Sequence, residues 1–167
     1  MKKKKVLFVC LGNICRSPAA EGIMKSILKK NNFEDLIEID SAGTIDYHIG
    51  EPPDARMKSS ARKRGYFLDS TARLFDPDVD FDYFDYIIPM DNENYFTLLE
   101  LDREGKYIEK IHKITEFISL EDVEEVPDPY FGGSKGFEIV LDILEDACAG
   151  LFNKLKENIE SENKKQN

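Results

Sequence analysis

The most constraining feature of the sequence is a short, fully apolar segment at residues 6–9 that leads directly into a cysteine and a loop. A continuous apolar run of this length is typical of a central parallel β-strand that is buried on both faces. We expect Ser17 to cap a helix after the loop and Pro18 to occupy its first position. Apolar residues then recur at the spacing of one buried helical face: Ala20, Ile23, Met24, Ile27 and Leu28. The sequence therefore predicts a strand, a loop and a helix in direct succession.

The rest of the chain alternates between strand-like and helix-like segments. Further strands are predicted at 37–39, 86–88 and 111–114, and helices at about 54–64, 92–101 and from Gly136 onward. This order predicts an α/β fold with a single doubly wound, mostly parallel, four-stranded sheet that is flanked by helices. We assign residues 1–160 to one domain and residues 161–167 to a polar tail that frays.

Composition excludes several classes of partner. The 23 Lys and Arg residues face 33 Asp and Glu residues, a net charge of −10 that argues against nucleic-acid binding. No apolar stretch approaches the roughly 20 residues of a membrane span. The apolar run after the lysines at positions 2–5 is too short for an export signal, so we expect a cytoplasmic protein with free thiols at Cys10, Cys15 and Cys148. His48 and His112 are too isolated to predict a metal site.

The loop after the first strand combines residues that suit phosphate chemistry, and it reads Cys10-Leu11-Gly12-Asn13-Ile14-Cys15-Arg16-Ser17. Parallel sheets bind ligands at the carboxyl ends of their strands, and a helix N-terminus offers free backbone N–H groups to an anion. Gly12 and Asn13 tolerate positive φ, and Arg16 can hold two phosphate oxygens at once. Positive surroundings favour the nucleophilic thiolate of Cys10, toward which Ser17 can donate a hydrogen bond. This Cys-x5-Arg loop therefore predicts phosphate binding and nucleophilic attack.

The segment Val9–Pro18 resembles the signature of the low-molecular-weight protein tyrosine phosphatases. The resemblance continues at Ser41-Ala42-Gly43-Thr44, at Met90-Asp91 with Asn94, and at Asp128-Pro129-Tyr130. It implies hydrolysis of phosphotyrosine and aryl phosphate monoesters through a phosphocysteine intermediate, with Cys10 as nucleophile, Arg16 as phosphate clamp and no cofactor or metal. The implied partners are phosphotyrosine-containing proteins or peptides, with inorganic phosphate as product and neither nucleic acid nor a membrane involved.

The resemblance also implies roles for residues outside the nucleophile. Asp128, which two prolines flank, would protonate the leaving phenolate and then activate water, a step that the chemistry itself requires of some acid. Substrate contacts are implied for the loop residues Leu11, Gly12, Asn13, Ile14, Cys15 and Ser17, and for the aromatic walls Tyr47 and Tyr130. Ser41 is expected to pair with Asn13 and support the loop.

Three assignments stay open at this point. Asp91 is either a supporting acid near the loop or an ordinary helix cap. Cys15 either forms a reversible disulfide with Cys10, as the resemblance implies, or is a small buried core residue. The family's supporting histidine is absent from the stretch at 69–73, where Ser70 could take its place, and Tyr130-Phe131 stands where some members have two tyrosines.

Three other functions are compatible with parts of the same pattern. Arsenate reductases that resemble this loop need two further cysteines in a middle segment, and none lies between Cys15 and Cys148. Protein-arginine phosphatases resemble the sequence but have threonine where Ile14 stands. A phosphopeptide-binding module without activity fits poorly, because Cys10 and Asp128 are both present.

Overall fold

The computed structural model describes residues 2–130 and 132–167, so Phe131 of the pair Tyr130-Phe131 lies outside the described residues. The strands are β1 (Lys4–Cys10), β2 (Ile37–Gly43) and β3 (Tyr86–Pro89). The helices are α1 (Arg16–Asn31), α2 (Ala55–Lys63), α3 (Asp80–Tyr83), α4 (Asn92–Leu101) and α5 (Ser134–Gln166). Two short 3-10 turns, Ile108–Lys110 and Ile114–Phe117, follow α4. All the predicted helices are present, and α3 is an additional one-turn helix.

β1 is the central strand of a parallel sheet with the order β2-β1-β3. Leu7 of β1 pairs with Asp40 on one side and with Ile87 on the other. The apolar residues 6–9 are fully buried, as the continuous apolar run predicted. Because all three strands run parallel, their carboxyl ends lie at one edge, where β1 ends at Cys10.

The prediction of a fourth strand at 111–114 is wrong. Within the described residues the sheet has three strands, and Ile111 contributes only an isolated parallel bridge to Ile87. The backbone on either side of Ile111 and His112 is wound into the two 3-10 turns, which cannot continue a ladder. Ile111 and Ile114 are nevertheless buried. The apolar spacing therefore predicted the burial of these residues correctly, but it did not predict their backbone conformation, which is not that of a strand.

Each face of the sheet carries its own apolar cluster. Val6 and Phe8 of β1 point into the larger cluster, which α1, α2 and α5 cover. Leu7 and Val9 point into the smaller cluster, where Phe81 of α3 and Leu98 of α4 pack. Alternate residues of one strand thus support helices on both faces, the arrangement expected of an α/β sheet flanked by helices.

The ends of two helices differ from the prediction. α1 begins at Arg16, one residue before the predicted cap, and the Ser17 side chain makes no capping bond because Cys10 and Asn13 engage its hydroxyl. α5 begins at Ser134 and continues through most of the predicted tail to Gln166, with Lys164 and Lys165 in its last turn. Basic residues there suit the negative end of the helix dipole. No helix among residues 2–130 and 132–167 is long and apolar enough to cross a membrane.

Candidate active site

A cavity of about 380 Å³ opens at the carboxyl end of β1. The loop residues Cys10, Leu11, Gly12, Ile14, Cys15 and Arg16 form its floor, and Ile45, Tyr47, His48, Asp128 and Tyr130 form its walls. Asn13, Ser17, Ser41 and Asp91 lie behind the floor and support it. The structure thus brings together every candidate site residue that the sequence analysis named.

The loop between β1 and α1 is shaped by the end of β2 beneath it. A Cβ atom on Gly43 would lie 2.9 Å from the Leu11 carbonyl oxygen, so only glycine allows this close approach. The backbone N–H of Thr44 donates to the Cys10 and Leu11 carbonyls at 3.0 and 2.9 Å. At the apex, Asn13 has a φ of 57°, in the left-handed region that asparagine tolerates. These contacts turn the Asn13 N–H inward, toward the Cys10 sulfur at 3.3 Å.

Cys10 presents its sulfur to the cavity although the residue is only 2% exposed. Its Sγ atom lies 3.0 Å from the Ser17 hydroxyl oxygen and accepts a hydrogen bond from the Asn13 backbone N–H. Hydrogen bonds of this kind stabilise a thiolate more than a thiol. The position of Cys10 and its hydrogen-bond partners are therefore those that a nucleophilic cysteine requires.

Arg16 lies at the floor of the cavity as a fully buried cation. Its Nη1 atom donates to Asp91 Oδ2 at 2.6 Å and to the Val126 carbonyl at 3.1 Å. Burial alone would lower the pKa of Arg16, but the negative charges of Cys10, Asp91 and Asp128 outweigh it and raise the pKa. The guanidinium therefore stays charged, which suits it to hold an anion in the cavity.

Asp91 performs both tasks that the sequence left open. Its Oδ1 atom accepts the Asn94 backbone N–H at 2.7 Å and caps α4, while Oδ2 accepts from Arg16. One carboxylate thus fixes the start of α4 and the orientation of the guanidinium. The two roles do not compete, because each uses a different oxygen.

Asp128 reaches the cavity from a separate segment that follows the second 3-10 turn. Its Oδ1 atom accepts the Tyr130 backbone N–H at 3.0 Å, and Oδ2 lies 3.5 Å from Arg16 Nη2. The side chain is 34% exposed, so one edge of the carboxyl group faces both solvent and the cavity. Arg56 of α2 donates to the Tyr130 carbonyl at 3.0 Å and holds this segment beside the cavity.

Aromatic rings form the outer wall of the cavity. Tyr47 is 78% exposed and meets the His48 ring edge-on, with centroids 4.8 Å apart. The centroid of the His48 ring also lies 6.0 Å from that of the Tyr130 ring, and its Nδ1 atom lies 2.7 Å from Glu51 Oε2. A Cβ atom on Gly12 would lie 2.8 Å from His48 Cδ2, so His48 packs directly on the loop.

Sequence reasoning considered His48 only as a metal ligand and missed its place in this wall. Its position next to Tyr47 is the signal that could have found it, since both follow the same segment after β2. Among the described residues, no group of three or more His, Cys, Asp and Glu side chains is placed to hold a metal ion.

Asn13 ties the loop to its surroundings from below. Its Nδ2 atom donates to the Ser17 hydroxyl at 2.8 Å and to the Ser41 hydroxyl at 3.0 Å, while Oδ1 accepts the Arg73 backbone N–H at 3.0 Å. Ser41 in turn donates to Glu21 at 2.6 Å. The backbone N–H of Arg73 thus joins the network that supports the loop.

Sequence reasoning missed both Arg73 and Glu21. A backbone contact such as that of Arg73 leaves no trace in residue type. Glu21 follows Ser17 by four residues and precedes Met24 by three, a spacing that places it on the inner face of α1. A charged residue at such a position is the signal that could have found it.

The other two cysteines are free, buried thiols. Burial raises the pKa of Cys15 well above its usual range, with the charges of Asp54 and Cys10 adding to the effect. Burial likewise raises the pKa of Cys148, whose thiol donates to the Ala20 carbonyl at 3.7 Å. Cys148 lies fully buried in the larger apolar cluster, and both thiols stay protonated at neutral pH.

Comparisons with known proteins relate most of the chain to one family. A model of the low molecular weight phosphotyrosine protein phosphatases matches residues 5–161. A Synechocystis sp. protein that is named as a low molecular weight protein-tyrosine-phosphatase is 50% identical over 151 residues, which cover 90% of this chain and 96% of that protein.

Two solved structures extend this similarity to the fold. The crystal structure of a protein tyrosine phosphatase from Entamoeba histolytica, with Hepes in its active site, matches with a TM-score of 0.87 at 47% identity. That match covers 93% of this chain and 99% of the other. The crystal structure of a Drosophila arginine phosphatase matches with a TM-score of 0.84 at 34% identity, over 91% of this chain and 98% of the other.

Proposed function

The chain belongs to the low molecular weight protein-tyrosine-phosphatases, and from that premise we propose that it cleaves phosphotyrosine monoesters by way of a phosphocysteine at Cys10. The observation that carries the proposal is the meeting of three groups in one cavity: the Cys10 sulfur, the Arg16 guanidinium and the Asp128 carboxyl group. A nucleophile, a cation for the phosphoryl oxygens and an acid for the leaving group are what the reaction requires.

Substrate binding uses the positive floor of the cavity. Arg16 keeps its Nη1 edge on Asp91 and Val126, which leaves the Nη2 side toward the cavity for phosphoryl oxygens. The inward-facing Asn13 N–H and the start of α1 add partial positive charge. These donors are in place before the substrate binds, so they can stabilise the negative charge that develops on the phosphoryl oxygens.

The first chemical step transfers the phosphoryl group to sulfur. The Cys10 thiolate attacks phosphorus, the phosphorus–sulfur bond forms, and the bond to the phenolic oxygen breaks. Asp128, in its protonated form, gives its proton to the departing oxygen, so the product leaves as neutral phenol. The exposed edge of Asp128 at the cavity mouth supports this role, because the leaving group must depart toward solvent.

The second step hydrolyses the phosphocysteine. Asp128, now ionised, takes a proton from water, whose oxygen attacks phosphorus while the Cys10 thiolate leaves. The Ser17 hydroxyl, 3.0 Å from the sulfur, stabilises the negative charge that returns to it. Inorganic phosphate is released, and the proton that Asp128 takes from water replaces the one that it gave to the leaving group, so the enzyme regains its starting protonation.

The aromatic wall supports a phosphotyrosine substrate. Tyr47 and Tyr130 stand on either side of His48 at the cavity mouth, where a phenyl ring entering above the phosphate would contact their faces. The neighbouring charges do not form a basic rim: Glu51 is bound to His48, and Arg56 is bound to Asp54. A cytoplasmic location is part of the proposal, because the chemistry needs Cys10 as a free thiol.

Phosphoarginine is the second candidate substrate, because the Drosophila arginine phosphatase resembles this chain over nearly its full length. Ile14 lines the cavity beside Cys10, where the arginine-specific enzymes carry threonine. An apolar side chain cannot hydrogen-bond a phosphoarginine adduct, so Ile14 favours the tyrosine substrate. Turnover of a phosphotyrosine peptide and its phosphoarginine counterpart at equal concentration decides between them.

The experiment that tests the proposal is hydrolysis of p-nitrophenyl phosphate by the wild type and by Cys10→Ser, in excess EDTA. We expect nitrophenol release by the wild type and none by the variant. After rapid acid quench, mass spectrometry should find a phosphoryl adduct on Cys10 of the wild type. A folded, reduced wild-type protein without turnover would overturn the proposal and favour phosphopeptide binding without cleavage.

A further inference from the structure

We propose that Glu21 is a positioning residue that fixes the direction of the hydrogen bond between Ser17 and Cys10. Glu21 lies on α1 and is 5% exposed, and no step of the proposed mechanism uses it. The inference rests on the proposed function, because it concerns the orientation of the hydrogen bond to the same nucleophile, Cys10.

The side chains form a continuous buried chain of hydrogen bonds from Glu21 to the nucleophile. Ser41 Oγ lies 2.6 Å from Glu21 Oε1, and Asn13 Nδ2 lies 3.0 Å from Ser41 Oγ. Asn13 Nδ2 also lies 2.8 Å from Ser17 Oγ, which lies 3.0 Å from Cys10 Sγ. Asn13, Ser17 and Ser41 are each at most 2% exposed, so these hydrogen bonds are shielded from bulk solvent.

The direction of each bond follows from counting donors. An ionised carboxylate only accepts, so the single hydroxyl proton of Ser41 is committed to Glu21. Ser41 can then only accept from the Asn13 amide. The Arg73 backbone N–H donates to Asn13 Oδ1, which fixes the amide so that Nδ2 faces both serines.

The same count fixes the last bond. The second Nδ2 proton of Asn13 goes to Ser17 Oγ, so that oxygen acts as an acceptor toward Asn13. Its own proton then has Cys10 Sγ as its remaining acceptor among the contacts of the described residues. If Ser17 accepted from a Cys10 thiol instead, its buried hydroxyl proton would be left without a partner, which proteins avoid. The arrangement therefore directs the Ser17 hydroxyl proton toward the Cys10 sulfur.

Burial of the Glu21 carboxylate needs an explanation of this kind. Taking a carboxylate out of water is unfavourable unless partners compensate it. Lys25 supplies a counter-charge at 2.6 Å, but its own side chain is half exposed, so the pair is incompletely shielded. A neutral residue would join α1 to β2 at lower desolvation cost. A carboxylate can only accept hydrogen bonds, whereas a neutral polar side chain could also donate one to Ser41.

The test compares three variants of the full chain with p-nitrophenyl phosphate. Glu21→Met keeps the volume and removes the acceptor, and we expect kcat to fall about tenfold, as when one buried hydrogen bond is lost, with KM unchanged. Glu21→Gln keeps one acceptor oxygen and should recover part of that loss. Lys25→Met removes the counter-ion but leaves the chain of hydrogen bonds, so its kcat should stay within about twofold of wild type.

A double-mutant cycle with Ser17→Ala separates positioning from a structural role. If Glu21 acts through Ser17, Glu21→Met has no further effect on kcat once Ser17 is alanine. Effects that multiply in the double variant would overturn the proposal. Should Glu21→Met not fold, Ser41→Ala takes its place in the same cycle, because it interrupts the same chain.

A second readout does not depend on phosphatase turnover. The rate at which iodoacetate alkylates Cys10 at pH 7 reports how readily the sulfur acts as a nucleophile. We expect a severalfold decrease in Glu21→Met and none in Lys25→Met. An unchanged alkylation rate in Glu21→Met would contradict the inference even in an active enzyme. A decreased rate would support it even if the wild type failed to hydrolyse phosphate esters.

Discussion

The floor and the mouth of the cavity are built in opposite ways. On the floor, Cys10, Asn13 and Ser17 are almost fully buried and are joined side chain to side chain. At the mouth, Asp128 is 34% exposed and is anchored by a backbone N–H and by Arg16 at 3.5 Å. From this difference we expect stability and turnover to be separable: changes on the floor should affect both, whereas changes at the mouth should affect turnover alone.

Apart from changes to Cys10 itself, we expect the largest effect on turnover from Asp128→Asn. The amide keeps the size of the side chain but cannot give a proton to the leaving group, so kcat should fall by about 10² to 10⁴. The free energy of unfolding should change by less than about 0.5 kcal/mol, because the side chain is partly exposed. Steady-state kinetics and urea unfolding of the same preparation measure both quantities.

The leaving group provides the control for Asp128→Asn. Nitrophenolate departs readily without a proton, whereas phenolate does not, so the variant should lose more activity on phenyl phosphate than on p-nitrophenyl phosphate. Equal losses on the two substrates would contradict the role of Asp128 as general acid.

On the floor, Asn13→Ala should reduce stability and turnover together. Alanine loses three side-chain hydrogen bonds and must adopt a φ of 57°, which strains an L residue. We expect the free energy of unfolding to fall by about 2–3 kcal/mol and kcat to fall at least about tenfold. Asn13→Gly is the matched control, since it relieves the backbone strain but does not restore the bonds. If Asn13→Ala lowered kcat but left the free energy of unfolding unchanged, the proposed difference between floor and mouth would be wrong.

Much of this architecture could be predicted from the sequence, because burial and periodicity are local properties. The apolar run at 6–9 indicated the central strand, and the apolar spacing from Ala20 to Leu28 indicated a buried face on α1. The predictions failed where one residue pattern is compatible with two different local structures. Ile111 and Ile114 have the burial of a strand, yet the segment is wound into 3-10 turns. Ser17 has the residue type of a cap, yet Cys10 and Asn13 use its hydroxyl.

The candidate site divides in the same way. Cys10, Arg16 and Asp128 could be named in advance as candidates, the first two from the residue types in the loop and Asp128 from the family resemblance, and all three line the cavity. Glu21 and Arg73 could not, because their contribution depends on which atoms of Ser41 and Asn13 they meet across separate elements. The spacing of residues in a sequence reports faces of helices and strands, not contacts between distant segments.

Arg56 connects α2 to the segment at the mouth that carries Asp128. It holds the acid-bearing segment through the Tyr130 carbonyl and lies over the Phe137 ring at 4.9 Å. Arg56→Met should let the segment shift and lower kcat about two- to fivefold, as small misplacements of a catalytic group do. The melting temperature should hardly change. Arg62→Met, on the same helix and over the exposed Phe67 ring, is the matched control. Equal kinetics in both variants would show that Arg56 does not position Asp128.

The smallest effect expected is on stability at acidic pH, through Asp54 at the start of α2. Burial alone would raise the pKa of Asp54, but hydrogen bonds from the Arg56 side chain and from the Arg56 and Met57 N–H groups outweigh it and lower the pKa. The ionised cap therefore stabilises the fold at neutral pH, and this contribution is lost as the pH falls below about 4. Urea unfolding should show wild type more stable than Asp54→Asn by at most about 1 kcal/mol at pH 6. The difference should shrink toward pH 3, and one that stays constant with pH would mean that the charge of Asp54 contributes nothing.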